Sequence, residues 1–206
     1  MAKPDYITSD VHLGAVPEAR ERSFLRFLEH TGAEAGRLLI PGFIEGHGHF
    51  GGLGNKMMNL DLMTVRNWDE VVSMVAAAAR DIPQDAWIVG RGWHQEKWDR
   101  VPEPSVEGVP VHASLDSVSP NNPVYLTHAS GHAAFVNKRA LDLAGITRST
   151  PNPAGGEIVK DANGEPTGLL RETAQGLVSR VRARTQAERP AAEIEAEQRR
   201  MLELAA

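Results

Sequence analysis

Two imidazoles stand two residues apart in His47-Gly48-His49, directly behind the apolar stretch RLLIPGFIE of residues 37–45. At the end of a strand such a pair points to one side, so both rings can reach one metal ion. Gly46 and Gly48 let backbone approach closely and leave the rings free to orient. The same spacing also fits a pair of exposed loop histidines, because His-x-His is a short pattern. Cysteine is absent, which excludes disulfides, thiolate metal sites and cysteine nucleophiles. A divalent ion held by imidazole would bring the pKa of its water toward neutrality and polarise a scissile group.

Periodicity shows the elements that must position these groups. Residues 5–14 read as a short strand ending near Thr8, with Asp10 and His12 on the following loop. Residues 18–30 set Phe24, Leu25, Phe27 and Leu28 on one face of a helix, between Pro17 and Gly32. With the strand that leads into His47 this makes a βαβ unit, whose strands run parallel. Further on, Asn67 caps a helix over 67–81 with an apolar stripe of Val71, Val72, Val75 and Ala79. Strands are predicted over 86–93 and 123–130, then a helix over 131–145 stopped by Gly145. Residues 155–168 read as a hairpin turning at Asp161-Ala162-Asn163-Gly164. From Leu169 onward the pattern is helical, broken by Pro190.

Trp87, Trp93 and Trp98 are expected in one core cluster, and Asp116 and Ser119 in turns. The last helix shows an apolar face of Ile194, Met201, Leu202 and Leu204 with no strand after it. That face is expected to meet another chain or another part of the same region, and a homo-oligomer follows from the first option. The charge balance of 22 basic and 27 acidic residues argues against a nucleic-acid partner. No apolar run reaches the ~20 residues of a membrane span, and Met1–Asp5 opens no signal-peptide core. A cytoplasmic protein with a small-molecule substrate and no membrane partner is the expectation.

Four blocks in order carry a family likeness: PGFIEGHGHF (41–50), GRGWHQEKW (90–98), LDSVSPNNPVYLTHASGHAAFVNKRALDLAGI (115–146) and TPNPAGGEIVKDANGEPTGLLRETA (150–174). Over about residues 38–206 the chain resembles the family-three, YtcJ-like amidohydrolases. The resemblance implies that His47 and His49 are metal ligands. It places Glu172 as a site-facing residue, either bridging two cations or serving as general base toward water. An exposed helical glutamate is the plainer alternative. His132 and Asn137, in GHAAFVN, fall beside the substrate pocket by the same likeness. His132 could instead cap a helix by bonding a nearby carbonyl.

Residues 9–40, SDVHLGAVPEARERSFLRFLEHTGAEAGRLLI, do not fit that family. They resemble the start of a calcineurin-like metallophosphoesterase of the type that hydrolyses UDP-diacylglucosamine. That likeness implies that Asp10 and His12 bind a dinuclear metal centre. The Gly-Asp expected after RLLI is replaced by Pro41-Gly42-Phe43, and the later Gly-Asn-His is missing, so the phosphoesterase centre is incomplete. The two likenesses meet near Leu39-Ile40-Pro41, which reads as a chimera, natural or constructed. If both strand ends lie at one sheet edge, Asp10, His12, His47 and His49 would form a composite site for zinc, with manganese or iron as alternatives.

The fold expectation is α/β (mixed α+β): an N-terminal βαβ unit over 1–50 and an α/β insert with C-terminal helices over 51–206. A full (β/α)8 barrel needs about 250 residues, so 206 residues hold an incomplete one. The leading functional expectation is a metal-dependent hydrolase of a C–N or ester bond. A phosphoester or phosphotriester hydrolase using the composite site is the runner-up. An inert truncated fragment is the opposing reading.

Overall fold

The computed structural model describes residues 50–205, with Arg26 the one described residue before them. The chain divides into units of residues Met1–Gly48 and His49–Ala206, and the fold below is that of the second. The predicted βαβ unit, the junction near Leu39–Pro41, and Asp10, His12, His47 and His49 lie outside the described residues.

In chain order the elements are α1 (Phe50–Met58), β1 (Leu60–Asp61), α2 (Trp68–Asp81), β2 (Ile88–Trp93), and a 3-10 turn (Gln95–Lys97). A two-stranded ribbon follows, β3 (Ser105–Val106) with β4 (Val109–Pro110), then α3 (Ala113–Val118). Next come β5 (Val124–His128), β6 (Ala133–Val136) and α4 (Lys138–Leu143). The chain then forms β7 (Gly156–Lys160), β8 (Pro166–Glu172), α5 (Gln175–Ala187) and α6 (Ala191–Ala205).

Six strands form one mixed sheet in the order β1-β2-β5-β6-β8-β7. β1, β2 and β5 run parallel, whereas β6, β8 and β7 join by antiparallel pairing. The sheet is apolar on both faces, as a layer covered on both sides must be. Val124 and Leu126 enter one core with Phe135 and Leu169, while Tyr125, Ala134, Val136 and Leu170 enter the other. This is the period-two alternation of a pleated strand read twice over. Val71, Val75 and Leu115 bring α2 and α3 onto the first face; Ala140, Leu141 and Val178 bring α4 and α5 onto the second.

Local chemistry fixes the ends of these elements. Asn67 caps α2, its side chain accepting from the Glu70 N–H at 3.0 Å, as expected from sequence. The 161–164 turn of the β7–β8 hairpin is also as expected, and Asp161 Oδ1 accepts from the N–H groups of Asn163 and Glu165. Those bonds hold the Asp161 carboxyl below its usual range.

Several expectations change. Residues 131–145 do not form one helix: Ala133–Val136 is β6, and the helix begins only at Lys138. Apolar Ala133-Ala134-Phe135-Val136 satisfies strand alternation between two cores as well as helical spacing, and pairing with β5 and β8 decides it. Likewise residues 169–172 extend β8, and helix resumes at Gln175. Asp116 lies in α3 rather than in a turn, where its Oδ1 accepts from the Lys138 N–H at 2.7 Å and ties α3 to α4. Ser119 does end that helix, and its hydroxyl donates to the Asn122 carbonyl.

The aromatic cluster consists of Trp68, Trp93, Trp98 and Phe135. Trp87 belongs to the opposite face, with its Nε1 donating to Thr185 Oγ1 at 2.9 Å. The C-terminal helix does find a partner within this unit. α6 lies so close to α1 that a Cβ on Gly54 would sit 2.1 Å from the Met201 carbonyl oxygen. No helix among the described residues is long and apolar enough to cross a membrane.

Candidate functional site

Strand direction gathers the polar groups at one sheet edge. β2 and β5 are parallel and end there, at Trp93 and His128. β6 runs antiparallel to β5 and so begins there, and β8, antiparallel to β6, ends there at Glu172. His94, His128, His132 and Glu172 therefore share an edge although they span nearly eighty positions of sequence. The carboxyl ends of parallel strands are where open α/β sheets place ligands.

Glu172 is the most constrained of the four. Its φ is +50°, in the left-handed region that costs a side-chain-bearing residue about 1 kcal/mol or more. Its N–H donates to the His132 carbonyl at 2.8 Å, and its Oε2 lies 3.1 Å from His132 Nδ1. The two side chains are 56% and 72% exposed, so their attraction contributes little to stability. Solvent-facing placement held by a strained backbone suits a group that meets a ligand. Glu172 ends a strand, which removes the reading of an exposed helical glutamate. His132 likewise precedes a strand, so it caps no helix.

Behind this pair stands His128, which is buried. Its Nδ1 accepts the Ser130 N–H at 3.1 Å and lies 2.8 Å from Ser130 Oγ. A backbone N–H can only donate, so Nδ1 carries a lone pair and the proton sits on Nε2. Nε2–H then donates to Gln95 Oε1 at 3.2 Å. Burial, and then the neighbouring His94 ring with its centroid 4.6 Å away, lower the His128 pKa below the usual histidine value. The edge of the His128 ring meets Trp93 at 4.6 Å between centroids. Trp93 is turned inward by the irregularity in β2 between Arg91 and Trp93, where Gly92 has a φ of +109°.

Asn137 is elsewhere and does something else. It follows β6, five positions after His132, which is roughly 16 Å in an extended chain. It is fully buried. Its Oδ1 accepts from the N–H groups of Val124 and Ala140, and its Nδ2 donates to the carbonyls of Ser119 and Asn122, all within 2.9–3.1 Å. The whole hydrogen-bonding capacity of the amide is used on backbone. The expectation of a substrate contact is therefore replaced by a structural role, knitting β5, α3 and α4 together. His128, Gln95 and Ser130 were not singled out from sequence, although a histidine closing an apolar strand was the available signal.

Among the described residues no group of three or more His, Asp or Glu side chains is placed to hold a metal ion. His132 and Glu172 offer one nitrogen and one oxygen, whereas an open catalytic site takes three protein ligands. The donor types fit a divalent cation; His47 and His49, the expected metal ligands, lie outside the described residues.

The profile of the Amidohydrolase family matches residues 35–206, and the chain belongs to that family. YtcJ of Bacillus subtilis (strain 168) is 40% identical over 143 residues, covering 69% of this chain and 26% of the relative. N-substituted formamide deformylase of Arthrobacter pascens is 38% identical over 146 residues, covering 70% of this chain and 26% of that protein. A solved structure of an uncharacterized metal-dependent hydrolase from Pyrococcus furiosus aligns with a TM-score of 0.49 at 23% identity, covering 90% of this chain and 34% of that one. The chain spans about a quarter of the length of the curated relatives named here.

Proposed function

We propose that the chain is a metal-dependent hydrolase of a C–N or ester bond in a small molecule, with Glu172 as its general base. The observation that carries this is the Glu172 carboxylate, held at positive φ on the sheet edge with His132 Nδ1 at 3.1 Å. Membership of the Amidohydrolase family supports the reaction class. A C–N bond is favoured by the relative named for deformylating N-substituted formamides. His47 and His49 are the metal ligands in this reading, with zinc the first choice. When bound, such an ion supplies an acidified water and polarises the scissile carbonyl.

The chain's own groups divide the remaining work. His132 holds Oε2, which leaves Oε1 to take the proton of the attacking water. The same carboxyl then returns that proton to the departing nitrogen or oxygen. His132 Nε2 is the ring atom that would meet substrate. Asp10 and His12, from the phosphoesterase-like leader joined near Leu39–Pro41, complete the composite metal site in this proposal. Within the family frame the mixed sheet is part of an incomplete barrel fold.

The test is turnover of N-formyl amide, aryl ester and aryl phosphoester substrates by zinc-loaded full chain, with and without chelator. Chelator-sensitive hydrolysis of the amide or ester is expected, and Glu172→Gln should lower kcat about 10²–10⁴-fold at unchanged metal content. Absence of chelator-sensitive turnover overturns the proposal in favour of an inert fragment. Turnover of phosphoester alone moves it to the runner-up reaction. Metal content of His47→Ala and Asp10→Ala separates the composite site, which requires both substitutions to lower it.

A further inference from the structure

We infer that His128 is a positioning residue: as a neutral ring with a bare Nδ1, it holds the Ala129–His132 turn that sets His132 against Glu172. The inference rests on the reading of Glu172 as general base, and its structural content stands on a chain of hydrogen bonds. Gln95 Oε1 accepts from His128 Nε2–H at 3.2 Å. His128 Nδ1 accepts from the Ser130 N–H at 3.1 Å and from the Ser130 hydroxyl at 2.8 Å. With its proton turned to His128, Ser130 Oγ accepts the His132 N–H at 3.1 Å. From the buried ring to the backbone of the exposed histidine the path is two bonds through Ser130 Oγ, with Gln95 and the Ser130 N–H fixing the ring.

The backbone bond from Ser130 N–H fixes the sense of the others. The Ser130 N–H is a donor, so a proton on Nδ1 would face another donor and break the turn. Gly131 supplies the φ of +80° that the turn needs, and its carbonyl accepts from Gln175 Nε2 at 3.2 Å. The turn is therefore held from the sheet side by His128 and from the α5 side by Gln175. The groups packed around His128 are His94, Trp93, Gln95 and Ser130, and His94 is the one titratable group among them. His94 Nδ1 accepts from the Glu96 N–H at 3.2 Å, which leaves that ring's δ nitrogen committed to its own turn. His128 does not touch substrate in this scheme. It acts through Ser130 on the placement of His132, and through His132 on Glu172.

The experiment compares His128→Asn with His128→Gln in the full chain. The asparagine carbonyl stands where Nδ1 accepts, whereas the longer glutamine carries its carbonyl toward the Nε2 position. Asparagine should keep the Ser130 and His132 amides slow to exchange with solvent deuterium and should restore turnover. Glutamine should free both amides and lower kcat about tenfold to a hundredfold, with metal content unchanged. Ring 15N spectra of the unaltered protein should show His128 protonated on Nε2 alone. Ser130→Ala, which leaves the ring in place, should free the His132 amide as Ser130→Thr does not. A proton on Nδ1, equal behaviour of asparagine and glutamine, or unchanged amide exchange in Ser130→Ala would each overturn the inference. If the unaltered chain turns over nothing, the hydrolase reading falls, while ring spectra and amide exchange still decide whether His128 holds the turn.

Discussion

Asn137 and Glu172 show how differently two polar residues can serve one sheet. Asn137 gives all four of its hydrogen bonds to backbone in the interior, where an unpaired group is expensive. Asn137→Ala should therefore destabilise the chain by about 2–4 kcal/mol in urea unfolding, without a selective effect on KM. A rise in KM at unchanged stability would instead return it to substrate binding. His128 gives stability a pH dependence of definite sign. Its folded pKa lies below the ordinary value, through burial first and His94 second, so the unfolded chain binds that proton more readily. The contribution is complete above about pH 6.5 and is lost as pH falls from there toward the folded pKa. Urea midpoints at pH 7.5 and 5.5 should show the fall, and His128→Asn should shrink it. An equal fall in both proteins would refute the assignment.

At the scale of elements, the sequence was legible wherever one signal stood unopposed. Asn67 followed by Val71 and Val75 admits only a capped helix, and Asp161–Gly164 only a turn. Ala133–Val136 misled because four apolar residues suit either period, and one of its two strand partners, β8, lies more than thirty residues away. The site was legible in part for the same reason. His132 and Glu172 lie forty residues apart and meet only through the β6–β8 pairing, whereas Asn137 looked equally functional because an amide that caps and one that binds substrate share a residue type. The apolar face of α6 announced a partner, but α1 as that partner was not legible, because Gly54 at the contact carries no hydrophobic signal. The contact predicts that Gly54→Ala, whose Cβ would fall 2.1 Å from the Met201 carbonyl oxygen, pushes α6 off α1. Trypsin should then cut at Arg199 and Arg200 several-fold faster in the variant, and equal cutting rates would contradict the packing.

For the molecule as a whole, apolar surface outlasts the folding of this unit. Leu53 and Met57 on α1 and Leu202 on α6 remain about half exposed. Self-association is the expected consequence, seen as a mass above that of one chain in light scattering at micromolar concentration; a mass of one chain would remove it.

The double-sided core has a further consequence for the fidelity of folding. In a sheet with one wet face, a strand that slips by one residue puts apolar groups into water and is rejected at once. Here both faces are dry, so that check is missing for β5, β6 and β8. Size takes its place. A slip in β6 would drive the Phe135 ring toward the side shaped for Ala134 and Val136, and would empty the space beside Trp68 and Trp93. It would also carry Asn137 away from its four backbone partners. Misregister is thus opposed by volume and by one amide, not by the boundary between oil and water.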